Sequence, residues 1–421
     1  SSIDGGATWQ PVGGANSANY SPGNIGVTTQ FRRIVSSLPC SNTSTAITIT
    51  ITPPITANTI SSSQTFCVSG TPATLTGPVP TGGNGFFSYQ WQSSTDGFNW
   101  SPIGGANGLT YSPGVITATT YFQRVATSGS CTLASNTVTI TIVPAIISNT
   151  ISTDQIFCSS GDPAILMGSA PSGGTGSYNY QWYSSTDNIT FTPILLATTQ
   201  SYDPGTLTVT TYFRREVTSS ACSSNSNVIT ITVVPAINDN IIDAYQRFCD
   251  SGDPVTINGS TPSGGTGSYI YSWESSANGI TWTPIPGANG PTYDPPFTNA
   301  TVYYHRIVTS SVCSSTSNSS RVLILALPQV TSATPTAVLC NGGNTGSIVV
   351  TGTSTNGTAQ YALNGGTYQV SGTFSGLTAG NYNVTITDDS ACVNSYSGNP
   401  VVVTEPALLD FTTTLQNASC D

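Results

Sequence analysis

Residues 157–188 read FCSSGDPAILMGSAPSGGTGSYNYQWYSSTDN, and residues 66–97 (FCVSGTPATLTGPVPTGGNGFFSYQWQSSTDG) and 248–279 (FCDSGDPVTINGSTPSGGTGSYIYSWESSANG) say nearly the same. Cys67, Cys158 and Cys249 stand 91 residues apart, as do Cys40, Cys131, Cys222 and Cys313. Trp91, Trp182 and Trp273 keep the period, and Tyr20, Tyr111, Tyr202 and Tyr293 keep it too. Trp9, Trp100, Phe191 and Trp282 form a second aromatic column; Arg33, Arg124, Arg215 and Arg306 form a charged one. Self-similarity at a fixed period marks small units that each fold on their own core.

The period divides the chain into units 54–144, 145–235 and 236–328, joined at TPPI (from Thr52), VPAI (from Val143) and VPAI (from Val234). Proline in so short a joint removes a donor and stiffens the backbone. Residues 1–53 match only the C-terminal part of a unit: SSIDGGATWQPVGGAN corresponds to SSTDGFNWSPIGGAN from Ser93. After the third unit the pattern changes. LCNGGNTGSIVV, from Leu339, belongs to a different domain, 329–406, and TEPALLDFTTTLQNASCD is expected to lead into another, 407–421. The chain is therefore expected to be an internal stretch of a longer repeat protein.

Within the second unit, AILMGS, SYNYQWYSS, TFTPI, QSYDP, TTYFRREVTS and NVITITVV read as short strands separated by Gly, Pro, Ser and Asn turns. Six or seven strands in about 90 residues, with no helical period, predict an all-β chain of tandem immunoglobulin-like antiparallel β-sandwiches. The Trp of YQW is the expected central buried ring. The alternating last strand runs straight into the joint, so the domains are expected end to end as a rod. Connectivity of the cysteines does not follow from spacing alone. One pair per unit points to Cys67–Cys131, Cys158–Cys222 and Cys249–Cys313, with Cys340–Cys392 in the fourth domain and Cys40 left over. Each such bridge would contribute roughly 4 kcal/mol in the chain-entropy account and implies an oxidising compartment.

The composition excludes several classes. Only 6% of the 421 residues are charged, against roughly 25% in an average soluble protein. Eight Arg, no Lys and 18 acidic residues leave a net charge of −10. Such a surface suits neither nucleic acid nor an anionic membrane. No run of apolar residues is long enough to span a bilayer, and the opening residues are not expected to act as a signal peptide. Without Lys, autocatalytic Lys–Asn cross-links cannot form.

Each motif has a plain reading beside a functional one. GGTG at Gly173 and Gly264, and GGNG at Gly82, precede a strand and lack a following Lys, so they read as turns rather than phosphate loops. The Arg column shares strand parity with aromatic and apolar neighbours and is expected to pack over the core; ligand recognition is the alternative. His305, the sole His, occupies a position held by Arg32, Gln123 and Arg214 in sister units, and is expected at the surface. No recurrent catalytic set can be built on one His, and no zinc site. Asp96 and Asp187 lie in STDG and STDN turns, where Asp favours the backbone geometry. Asp162 and Asp253 recur in SGDP, but Thr71 stands there in the first unit. With Asp388 and Asp389 adjacent, calcium at a domain joint is the one cofactor left open, and otherwise none is expected. N-x-S/T triplets such as those at Asn188 and Asn258 arise by chance in a Ser/Thr-rich chain.

YQWQSSTDG (from Tyr89), TTYFQRVATSGSC (from Thr119) and SNTVTITIVP (from Ser135) resemble the Ig-like (PKD-like) repeats of giant secreted proteins of Bacteroidota. CNGGNTGSI (from Cys340), FSGLTAGNYNVTITDDSAC (from Phe374) and VTEP (from Val403) resemble the SprB repeat of gliding-motility adhesins. The resemblance implies type IX secretion, attachment at the outer surface, and adhesion or gliding. Partners would be the secretion and gliding machinery and, through other regions, surface polysaccharide or an abiotic surface, without nucleic acid or membrane insertion. DSA at Asp389 resembles an O-glycosylation sequon of that group, which would place a glycan on Ser390.

Three functions compete. The first is a non-catalytic stalk of a cell-surface adhesin. The second is a spacer or carbohydrate-binding region of a secreted hydrolase, for which the Trp9/Trp100/Phe191/Trp282 column would have to form an exposed row. The third is a self-assembling filament or surface-layer subunit, in which edge strands would pair between chains.

Overall fold

The computed structural model describes residues 1–414, so the far part of 407–421 lies outside the described residues. The described residues contain strands and turns and no helix. They form two compact units: Ser1–Gln155, Asp162–Gly205 and Thr211–Ile231 in one, Ile156–Gly161, Thr206–Thr210 and Thr232 onward in the other. The division passes through the second repeat.

In the first unit, the tryptophan strand Ser88–Ser94 pairs antiparallel with the long strand Thr120–Ser128, with Trp91 opposite Arg124. Alternation along TYFQRVATS turns Phe122, Arg124, Ala126 and Ser128 inward. The hairpin strand Cys131–Ala134 folds back on the long strand, Cys131 opposite Ser128. The exit strand Val138–Val143 pairs antiparallel on the long strand's first residues, Val138 opposite Phe122. The edge strand Gln64–Cys67 lies parallel to the exit strand, Cys67 opposite Val143. The second and third repeats keep the same strand order.

The parallel pair departs from a purely antiparallel sheet and recurs in the third repeat, Cys249 opposite Leu325. Parallel neighbours need a long crossover. Here the intervening domain supplies it, because the edge and exit strands stand near the two ends of a repeat. The opposite layer is looser than expected. AILMGS and QSYDP meet at the single bridge Leu166–Tyr202, flanked by Ile151–Gly168 and Gly161–Leu207. Pro163, Gly168 and Pro204 punctuate these segments, and neither residue type sustains a ladder. Two strands were not anticipated, Gln155–Cys158 and Cys222–Asn225.

Each repeat buries its Trp completely. Trp91 packs among Ile60, Leu75, Phe122, Val138 and Ile140, with the Tyr111 ring 5.7 Å away. Its indole N–H donates to Gly108 O at 2.9 Å. In the second unit Trp273 repeats the arrangement, with Gly290 O as acceptor. The fourth domain, in the same unit, has sheets built on Gly346–Thr353, Val384–Thr387 and Val401–Val403. They enclose Ile348, Val350, Tyr361, Val384, Ile386 and Val403. The chain is all-β, a series of immunoglobulin-like domains.

Candidate functional site

Every repeat carries one cysteine on its edge strand and one on its hairpin strand, and the sheet register separates them. Cys67 sits at the end of the exit strand, opposite Val143. Cys131 sits beyond the far end of the long strand, opposite Ser128. Nine residues of strand lie between those ends, about 30 Å. A disulfide needs Cα atoms within about 7 Å, so the pairing expected within a repeat is impossible.

The bridges cross the joints instead. Cys67 bonds Cys222 in the first unit; Cys158 bonds Cys313 and Cys249 bonds Cys392 in the second. This corrects the expected Cys67–Cys131, Cys158–Cys222, Cys249–Cys313 and Cys340–Cys392. Among the described residues Cys40, Cys131 and Cys340 are free thiols. The bridges span 155, 155 and 143 residues, and closing loops of that length contributes about 5 kcal/mol each in the chain-entropy account.

Local structure aims the edge cysteine at its neighbour. The residue after it is left-handed in all three repeats: Val68 at φ 62°, Ser159 at 65° and Asp250 at 67°. The N–H of that left-handed residue donates to the last carbonyl of the exit strand, Val68 to Val143 O at 2.8 Å and Asp250 to Leu325 O at 2.8 Å. Across the joint, the hairpin cysteine waits beside the same backbone, with Cys222 Sγ 3.3 Å from Pro144 O. Val143, Ile146, Val217 and Cys222 form a buried cluster there, with Tyr178 and Tyr180 against it. Val234, Ile237, Val308 and Cys313 do the same in the second unit.

The GGTG turns dock on these joints. Gly174 N–H donates to Pro144 O at 3.0 Å, and Tyr178 hydroxyl to Gly173 O at 2.7 Å. Gly173 has φ 83°, and a Cβ there would stand 1.9 Å from Ala145 O. The glycines are required by close backbone approach.

The Arg column is structural. Arg124, Arg215 and Arg306 are 0% exposed, yet among the described residues none pairs with a carboxylate. Arg215 Nε and Nη2 donate to Asn149 Oδ1 at 3.1 and 2.8 Å, Nη2 also to Ser169 O at 2.9 Å, and Nη1 to Gln200 O at 2.6 Å. Its guanidinium lies over the Tyr180 ring, 5.1 Å from the centroid. Burial lowers its pKa, with Tyr180 opposing. Asn149 returns the contact, its amide donating to Arg215 O and Ser224 O. Asn58, Asn149 and Asn240 thus form a further column at the 91-residue period, which the sequence reading passed over.

His305 is a correction. It is 9% exposed, stacked on Trp282 at 3.8 Å between ring centroids, with Nε2 2.7 Å from Glu274 Oε2. The position is a cap over the second aromatic column. Arg32 lies 4.1 Å above the Trp9 ring and Arg214 4.5 Å above Phe191. Arg, Gln and His interchange there because each can lie flat on, or bond beside, a neighbouring side chain.

The carboxylates do turn chemistry. Asp187 accepts from the Ser185 hydroxyl and from the Ile189 and Thr190 N–H groups. Those bonds, the hydroxyl's first, lower its pKa to about 2. Asp96 is held well below the usual range by the Asn99 and Phe98 N–H groups, the Asn99 amide and the Ser94 hydroxyl. At Asp388 burial raises the pKa, but bonds from Ser354, Asn356 and the Cys392 and Ser390 N–H groups outweigh it and the net shift is downward. Asp389 accepts from Thr358 N–H at 2.8 Å. Ser390 is half-buried in the turn leading to Cys392. Among the described residues no three His, Cys, Asp or Glu side chains converge as a metal site.

A family model described as "Domain of unknown function (DUF8696)" matches residues 1–53, 56–144, 147–235 and 238–328. A second, "Bacterial Ig-like domain (group 3)", matches 344–396. No curated protein matches the chain. Among solved structures, Sidekick-1 immunoglobulin domains 1–5 are 10% identical, covering 84% of this chain and 79% of that one, at a TM-score of 0.26. Drosophila OTK extracellular domains 3–5 are 11% identical, covering 65% and 99%, at 0.28. The insect immune protein hemolin is 13% identical, covering 85% and 100%, at 0.25. TM-scores of this size carry no argument about this chain.

Proposed function

We infer that this chain, which belongs to the family described as "Domain of unknown function (DUF8696)", is a non-catalytic stalk region of a very large secreted cell-surface adhesin. The observation that carries the reading is the bridge across each of three successive joints. A stalk must keep its repeats connected under load, and its joints are where this chain places its covalent bonds. Disulfides of this number belong to an oxidising compartment, which supports an extracellular location. Export by type IX secretion, attachment to the outer membrane, a gliding role and a glycan on Ser390 complete the proposal, all on the resemblance of the repeats.

The carbohydrate-binding alternative depends on an exposed aromatic row. Trp9, Phe191 and Trp282 are half-buried under Arg32, Arg214 and His305, which counts against that reading.

Antibodies to residues 54–328, carried on beads, test the proposal on living source cells. Beads that bind and travel along the cell support a gliding adhesin; beads that bind and stay still support a static stalk. Bare cells with the antigen free in the medium would overturn the stalk and favour the secreted spacer.

A further inference from the structure

We propose that the three bridges form a load path that carries tension around the β-sandwich cores instead of through them. The loops overlap. Cys158 lies inside the loop closed by Cys67–Cys222, and Cys249 inside the loop closed by Cys158–Cys313. A pull between the two ends follows the shortest covalent route. It runs along residues 1–67, crosses to Cys222, continues to Cys249, crosses to Cys392 and leaves along 392–421. Residues 68–221 and 250–391 hang in closed loops beside that route. They hold Trp91, Trp182 and Trp273 with most of the cores around them, and they can unfold without lengthening the molecule.

The middle of the route is largely strand. Residues 222–249 include strands Cys222–Asn225, Ile229–Val234 and Tyr245–Cys249. A strand already rises about 3.3 Å per residue, close to the maximum of a stretched chain. Cys158–Cys313 offers a second, longer route that takes the load when the first is cut. The free thiols Cys40, Cys131 and Cys340 take no part. The inference needs only the connectivity, and stands whether or not the chain is an adhesin stalk.

Single-molecule stretching of the full chain, held by peptide-tag handles at its two ends, tests it. Without reductant, the contour length at full extension is expected to be roughly one third of that reached after dithiothreitol reduces the bridges. Replacing Cys67→Ser together with Cys222→Ser moves tension to the second route and lengthens the non-reduced chain. Cys158→Ser with Cys313→Ser leaves the first route intact and the length unchanged. Full extension depends on covalent connectivity alone, so a variant that folds poorly still reports. Equal lengths with and without reductant, three equal repeat-sized steps in the non-reduced chain, or equal lengths for the two double variants would overturn the proposal.

Discussion

Cys131 and Cys222 hold the same place in successive repeats, each opposite the last residue of its long strand. Cys131 is a half-buried thiol with Sγ 3.8 Å from Pro53 O. Cys222 is 2% exposed and bonded to Cys67. The hairpins are alike; what differs is the repeat in front. Cys222 meets the edge cysteine Cys67 of the first repeat, as Cys313 meets Cys158 of the second. A repeat therefore completes its neighbour's joint and not its own. The Arg column makes the same point. Arg33 is exposed, its guanidinium donating to Ala18 O, whereas Arg215 is sealed by Asn149 and Ser169 from the first half of its repeat.

The sharpest way to break this comparison is chemical. Iodoacetamide without reductant is expected to modify Cys40, Cys131 and Cys340 and to spare the six bridged cysteines, an all-or-none difference read by mass spectrometry. Protection of Cys131 and Cys340 would restore the pairing within domains.

Next in size is the Arg pair. Arg215→Ala strands Gln200 O, Ser169 O and Asn149 Oδ1 in the interior and should cost about 3–5 kcal/mol of local stability. Arg33→Ala should change stability by less than about 0.5 kcal/mol. Hydrogen exchange at Tyr212–Val217 and at Ile34–Ser37 reads the two effects separately. A smaller change of opposite sign is expected at Val68, a β-branched residue held at φ 62°. Val68→Gly relieves that strain and should stabilise the first repeat by about 1 kcal/mol, even after glycine's larger unfolded-state entropy. A thermal melt followed on Trp91 checks it.

The smallest effect is at the STDN turn. The folded carboxyl of Asp187 titrates at about 2, below the unfolded value of about 3.9. Its contribution is present above the unfolded value and is lost as pH falls through the folded one. Exchange of the Ile189 and Thr190 amides should accelerate, relative to an unrelated turn, between about pH 4 and pH 2. Asp187→Asn should remove that dependence.

Much of this architecture was legible in the residues. YQW marked the buried Trp of its strand, and the parity of Arg with Phe and Val placed it over the core. Asn58, Asn149 and Asn240 carry the same period and were equally visible, but a lone Asn in a β-rich unit reads as a turn residue until the buried guanidinium gives it a partner. The bridges were not legible for a geometric reason. A strict period repeats every pairing rule equally well, so bonding within a repeat and bonding to the next look identical in sequence. Only the register, with Cys67 at one end of the long strand and Cys131 at the other, separates them. His305 was misread because interchange with Arg and Gln suggested exposure, when the shared requirement was to cap a ring.

In this structure every disulfide among the described residues joins neighbouring domains. Protease digestion of the non-reduced chain followed by mass spectrometry of the linked peptides tests it most directly. Peptides joining Cys67 to Cys222, Cys158 to Cys313 and Cys249 to Cys392 are expected. Peptides joining Cys67 to Cys131, or Cys340 to Cys392, would contradict it.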